Sequence, residues 1–258
     1  MNETTSVVSV RNIEKMFGTK DSMTCALAGI SFDVEAGEFV GIMGPSGSGK
    51  TTLLNCVSTI DTVTSGHILV AGRDITTLRS KQLAKFRRDD LGFIFQDSNL
   101  LDTLTGFENI ALALTIKGVP TAQVRPKTEA IAAKLGVADV LGRYPYQMSG
   151  GQAQRIAAAR AMVCDPRLVL ADEPTGALDS RSATIMLETM EMMNTSLAAT
   201  IMMVTHDSYA ASFAGRILFI KDGKLFNEIR RGDTSRKDFF NRIIEVVTFL
   251  GGEGADAS

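Results

Sequence analysis

Two periodicities alternate along the chain. Short apolar runs stop at a glycine or a polar residue, and between them lie longer stretches with apolar residues three or four positions apart. Residues 7–13 and 26–34 alternate enough to predict strands, with residues 15–18 turning between them. Residues 38–43, 91–95, 167–171 and 200–205 are compact runs rich in branched or aromatic side chains, as in strands buried on both faces. Residues 66–72 form a short strand bounded by glycines, and residues 217–220 and 224–226, joined by Asp222 and Gly223, predict a hairpin. Helical spacing covers residues 51–60, 83–89, the alanine-rich 153–163, the methionine-sided 182–194 and an amphipathic 236–250.

From residue 97 to 165 strand character gives way to helical spacing. Pro120, Pro126 and Pro145 should divide this stretch into short helices, because proline is tolerated at helix starts but not in their interiors. The pattern predicts one domain over residues 1–258: an α/β core from 1–96 and 166–232, a helical insertion at 97–165, and a C-terminal helix and tail at 233–258. The apolar stripe of that last helix suits docking either on its own domain or on a partner, and residues 251–258 read as disordered.

Composition removes several alternatives. The formal charge of -2, from 27 Lys and Arg against 29 Asp and Glu, gives no general attraction for nucleic acid or anionic lipid. Cys25, Cys56 and Cys164 are widely spaced and odd in number, which suggests ordinary buried thiols and neither a disulfide framework nor a zinc site. The first six residues lack a signal-peptide pattern, and no run approaches the ~18 apolar residues of a membrane span. A soluble chain is expected, with any membrane role arriving through a partner.

The chemistry concentrates after the apolar runs. Gly44-Pro45-Ser46-Gly47-Ser48-Gly49-Lys50-Thr51-Thr52 fits G-x-x-x-x-G-K-[ST] between a strand and a helix. Glycine-permitted turns aim backbone N–H groups at an anion, Lys50 adds charge, the helix dipole adds more, and the Thr51 hydroxyl suits Mg²⁺. Ser149-Gly150-Gly151-Gln152 ahead of the alanine-rich helix is a second anion-binding arrangement. Asp172 and Glu173 end a strand; the first suits Mg²⁺, and the second suits a water attacking the γ-phosphate. Gln96 and His206 each follow a strand. Gln96 either reaches a metal ion or water or simply caps its strand, and His206 suits the γ-phosphate or the water. His67 reads as a solvated strand residue. Phe17 is either ordinary packing or a stacking platform for a base.

In this order the motifs resemble those of ABC transporter nucleotide-binding subunits along the whole chain. The resemblance implies a P-loop NTPase (RecA-like) core with an N-terminal antiparallel β subdomain and an inserted α-helical subdomain. It implies ATP and Mg²⁺ as cofactors, with Phe17 stacking on adenine, residues 44–52 as Walker A, Gln96 as the Q-loop glutamine and residues 149–152 as the signature. Asp172 becomes the Walker B carboxylate, Glu173 the catalytic glutamate, Asp179 the D-loop aspartate and His206 the switch histidine. Met148 and Phe17 replace the usual leucine and tyrosine, and both keep the apolar contact. Residues 92–105 and 171–179 and the Phe239-Phe240 tail look like the ATPase of bacitracin-type peptide-resistance transporters. Broader relatives serve macrolide export, lipoprotein extraction and cell division. The implied partners are a large mechanotransmission-type permease, a second copy paired head to tail and a sensor histidine kinase beside the permease. The implied location is the cytoplasmic face of the membrane. DNA-repair ATPases with similar heads carry a long inserted coiled coil, and the roughly 100 residues between Lys50 and Ser149 contain no heptad run to supply one.

Overall fold

The computed structural model describes residues 6–19 and 22–252. In chain order the strands are β1 (Ser6–Thr19), β2 (Ser22–Glu35), β3 (Phe39–Met43), β4 (Ser65–Val70), β5 (Arg73–Asp74), β6 (Leu91–Ile94), β7 (Leu168–Asp172), β8 (Ile201–Val204), β9 (Arg216–Lys221) and β10 (Lys224–Arg230). The helices are α1 (Lys50–Val57), α2 (Ser80–Asp89), α3 (Gly106–Lys117), α4 (Thr121–Lys134), α5 (Gly150–Met162), α6 (Ser180–Leu197), α7 (Ser208–Ala211) and α8 (Arg236–Gly252). They divide into two units, residues 1–79 with 200–258, and residues 80–199.

In the first unit β2, β1, β4 and β5 make an antiparallel sheet in that order. A second set runs β10, β9, β3, β8, with β3 parallel to both β9 and β8. Every residue of β3 and β8 is buried, as expected of parallel strands covered on both faces. Residues 15–18 do not turn but continue β1. Asn12, at φ 46°, sits where the register shifts between Val10 and Ile13, and pairing with β2 then runs on to Thr19. A bulge resets which face each residue takes, so the alternation breaks although the strand does not.

Arg216 is buried in this unit, donating to the Asp33 carbonyl at 2.9 Å, Glu38 at 3.2 Å and Glu228 at 2.8 Å. Removing one partner of such a buried cluster typically costs about 3–5 kcal/mol, because the remaining charge is stranded. Helix α8 packs on its own unit through Phe239, Ile243 and Leu250. The Arg236 guanidinium lies 4.2 Å from the Phe213 ring centroid, and Arg242 donates to the Arg230 carbonyl at 3.0 Å. Gly251 and Gly252, expected to be disordered, close that helix, and residues 253–258 lie outside the described residues.

In the second unit β6 and β7 pair in parallel from Leu91 with Leu168 to Ile94 with Ala171. Helix α5 packs against β6, α3, α4 and α6. The methionine side of α6 is core, with Met186, Met190 and Met193 fully buried. Pro126 departs from expectation by standing inside α4. The carbonyl one turn earlier belongs to Ala122, which is exposed, so water can take the hydrogen bond that proline does not supply. The cysteines also differ from expectation, since Cys25 is exposed, Cys164 half-buried and only Cys56 buried. Among the described residues no helix is long and apolar enough to cross a membrane.

Candidate active site

The loop after β3 is shaped by close backbone approach. Gly49 has φ 101°, and a Cβ there would lie 2.4 Å from the Ala26 carbonyl oxygen. No other residue type fits that position without moving β2. The loop is further pinned where the Gly223 N–H of the β9–β10 turn donates to the Ser48 carbonyl at 3.1 Å. Helix α1 then starts at Lys50, so its positive end faces the loop. Lys50 Nζ donates to the Gly44 and Pro45 carbonyls at 2.8 Å each. The Ser48 hydroxyl is buried and has no hydrogen-bond partner among the described residues, and Pro45, Ser46 and Gly47 are exposed. A preformed loop with an unsatisfied buried hydroxyl and an adjacent cation suits a polyanion.

β8 delivers His206 beside this loop. Ile42 and Val204 are paired, and the Thr205 N–H donates to the Ile42 carbonyl at 3.1 Å. Gly44 and His206 therefore leave neighbouring parallel strands at the same level, and His206 is exposed. His67 is exposed as well and bonds Asp74 at 2.8 Å, a strand-edge contact. Phe17, near the end of β1, is 43% exposed, which suits a platform better than a core residue.

The second unit gathers the carboxylates. Because β6 and β7 run parallel in matched register, Gln96 and the Asp172–Glu173 pair emerge at the same strand ends. Glu173 adopts φ 46°, a left-handed conformation that costs a non-glycine residue about 1–3 kcal/mol and recurs at functional sites. A Cβ on Gly176 would sit 3.1 Å from the Gln96 carboxamide, so Gln96 lies against the loop that follows Glu173. Asp179 caps α6, accepting from the Arg181 and Ser182 N–H groups at 3.0 Å each. The Ser182 side chain and backbone hold its carboxyl below the usual range.

Ser149 caps α5 reciprocally. Its hydroxyl accepts from the Gln152 N–H at 3.2 Å, while the Gln152 side chain accepts from the Ser149 N–H at 3.0 Å. Gly151 lies under α6, where a Cβ would come within 2.9 Å of the Ser182 Cβ. One buried residue escaped the sequence reading. Gln154 Nε2 donates to the Phe95, Gln96 and Pro174 carbonyls at 2.8, 2.9 and 3.0 Å, joining the loops that carry Gln96 and Glu173 to α5. Its signal was a polar side chain on the face of α5 shared with Ala157, Ala158 and Ala161, all buried. Arg160 adds a brace, donating to the Asn99 and Ser98 carbonyls at 2.7 and 3.0 Å.

A preformed loop suited to a polyanion with a histidine beside it in the first unit, and a strained glutamate next to an aspartate and a glutamine in the second, are the kinds of group that nucleoside triphosphatases use. The ABC transporter family pattern matches residues 27–176. The bacitracin export ATP-binding protein of Halalkalibacterium halodurans is 49% identical, over 96% of this chain and 98% of its own length. The chain belongs to the ABC transporter family. It is an ATPase subunit of that family, and its nucleotide is ATP. The macrolide export ATP-binding/permease protein of Hyphomonas neptunium is 40% identical over 87% of this chain but only 35% of its own length. Among solved structures, a dimeric ATP-binding cassette in a post-hydrolysis state with ADP and Pi is 35% identical, with TM-score 0.78, over 86% of this chain and 98% of that one. The α/β fold is thus that of an ABC cassette.

Proposed function

We propose that this ABC ATPase powers a bacterial membrane permease that confers resistance to bacitracin-like peptides. The observation that carries the peptide-resistance branch is 49% identity sustained over nearly both full lengths with a bacitracin export subunit, against 40% with a macrolide exporter. In the proposed roles Phe17 stacks on adenine, and residues 44–52 hold the triphosphate, Lys50 through its charge. Residues 149–152 and Asp179 close the site from a second copy. The functional division follows the same lines: residues 1–96 and 166–232 bind ATP, residues 97–165 carry the signature, and residues 233–258 form the tail.

Glu173 accepts a proton from water as the water oxygen bonds to the γ-phosphorus and the bond to the ADP oxygen breaks. His206 orients the γ-phosphate, and Gln96 positions the water. Thr51, Asp172 and Gln96 offer the hard oxygen donors that Mg²⁺ prefers. When bound, it neutralises charge on the phosphate oxygens.

A groove of about 550 Å³ in the second unit, lined by Arg87, Arg88, Leu91, Phe93, Asn99 and Ile116, suits a cytoplasmic segment of the permease. Asn99 is tied to Arg160 and follows Gln96 closely in sequence, which gives a mechanical route from permease to water. Such a subunit sits peripherally on the cytoplasmic face of the membrane, with a sensor kinase reached through the permease. Deleting the chain should raise bacitracin sensitivity, and a cross-linker at Ile116 should capture the permease. Unchanged sensitivity would remove the peptide assignment, and permease capture only from the opposite face would remove the docking assignment.

A further inference from the structure

Lys15 is only 9% exposed, an unusual position for an ammonium unless each donor finds a partner. Its Nζ donates to Asp61 Oδ1 at 2.6 Å and to the Thr62 carbonyl at 2.7 Å, and it stands 4.7 Å from the centroid of the Phe17 ring. The same junction is stitched by the Thr64 N–H to the Glu14 carbonyl at 2.7 Å and by the Met16 N–H to the Thr64 hydroxyl at 3.0 Å. Asp61 closes the turn that leaves α1, its N–H bonded to the Asn55 carbonyl at 3.1 Å. One continuous set of contacts therefore runs from the phosphate loop through α1 and Asp61 to Lys15 and the ring.

We propose that Lys15 is a positioning residue for the nucleobase. Anchored to Asp61, it fixes the Phe17 ring at a set span from the phosphate loop. Its charge, held against the ring, draws π-density toward itself and leaves the exposed part of the ring better suited to stack on an electron-rich purine. The inference rests on the reading of Phe17 as the adenine platform.

The test compares ATP with inorganic tripolyphosphate, which has phosphates but no base, as ligands of the full chain. Lys15→Met should weaken ATP binding and raise KM about 3- to 10-fold, the range of a partly desolvated cation–π contact. It should leave kcat within about twofold and tripolyphosphate binding unchanged. An equal loss for both ligands, or no loss for either, overturns the proposal. Should Lys15→Met fail to fold, Asp61→Asn carries the same test, with the same selective loss expected and the same two outcomes fatal. Phe17→Ala separates the premises. If it leaves ATP affinity unaltered, the platform reading itself fails; if it weakens ATP while Lys15→Met does not, only the role of Lys15 fails.

Discussion

Gln154 is the residue whose removal should be felt farthest from its own position. Replacing it with leucine leaves three carbonyls without their donor and frees the loops carrying Gln96 and Glu173. A loss of about 1–3 kcal/mol in denaturant unfolding is expected, with turnover falling while ATP affinity holds. An unchanged unfolding midpoint would contradict that bracing role. Residues 44–52 could be picked out in the sequence as a candidate phosphate loop because phosphate binding demands a local pattern. Gln154 could not be, since its partners lie 58 and 20 positions away and only the fold brings them together. The cysteines make a similar point. Burial, then the nearby Asp61 charge, push the Cys56 thiol up to about 11, so at pH 8 it stays protonated and shielded. Alkylation followed by mass spectrometry should therefore label exposed Cys25 first and Cys56 only on unfolding; early labelling of Cys56 would reveal opening at α1.

At the scale of elements, α5 shows a candidate anion-binding motif that also holds the structure together. Ser149 caps the helix that Gly150 and Gly151 begin, and Gly151 lets α6 approach. Ser149→Ala should cost about 0.5–2 kcal/mol as a lost N-cap. Gly151→Val, which drives side-chain atoms into Ser182, should destabilise more in the same unfolding experiment. Equal or absent effects would mean that α5 and α6 are not in tight register. Most strands and helices were legible here because buried runs and helical spacing are strong signals. Where expectation failed, a local event had broken the period. The bulge at Asn12 hid the continuation of β1, and Pro126 stands inside α4 one turn after exposed Ala122.

At the scale of the whole molecule, the proposed head-to-tail pair makes each ATP site the property of two chains. Lys50→Ala lacks the charge on one wall and Ser149→Arg obstructs the other, so each variant alone should be inactive. Mixed in equal amounts, half of the pairs contain both variants and each of these holds one intact site of two, so about a quarter of wild-type activity should return on statistical pairing. No recovery would argue that each chain completes its own site. The pairing is proposed from resemblance alone, because two anion-binding motifs in one sequence do not say which copy each serves. The central claim is that Glu173 takes the proton from the attacking water. It is tested most directly by the turnover of Glu173→Gln, measured alongside its mass in solution with ATP. The predicted result is a fall of about 10²–10⁴-fold with an ATP-bound dimer accumulating, and near-normal turnover would contradict it.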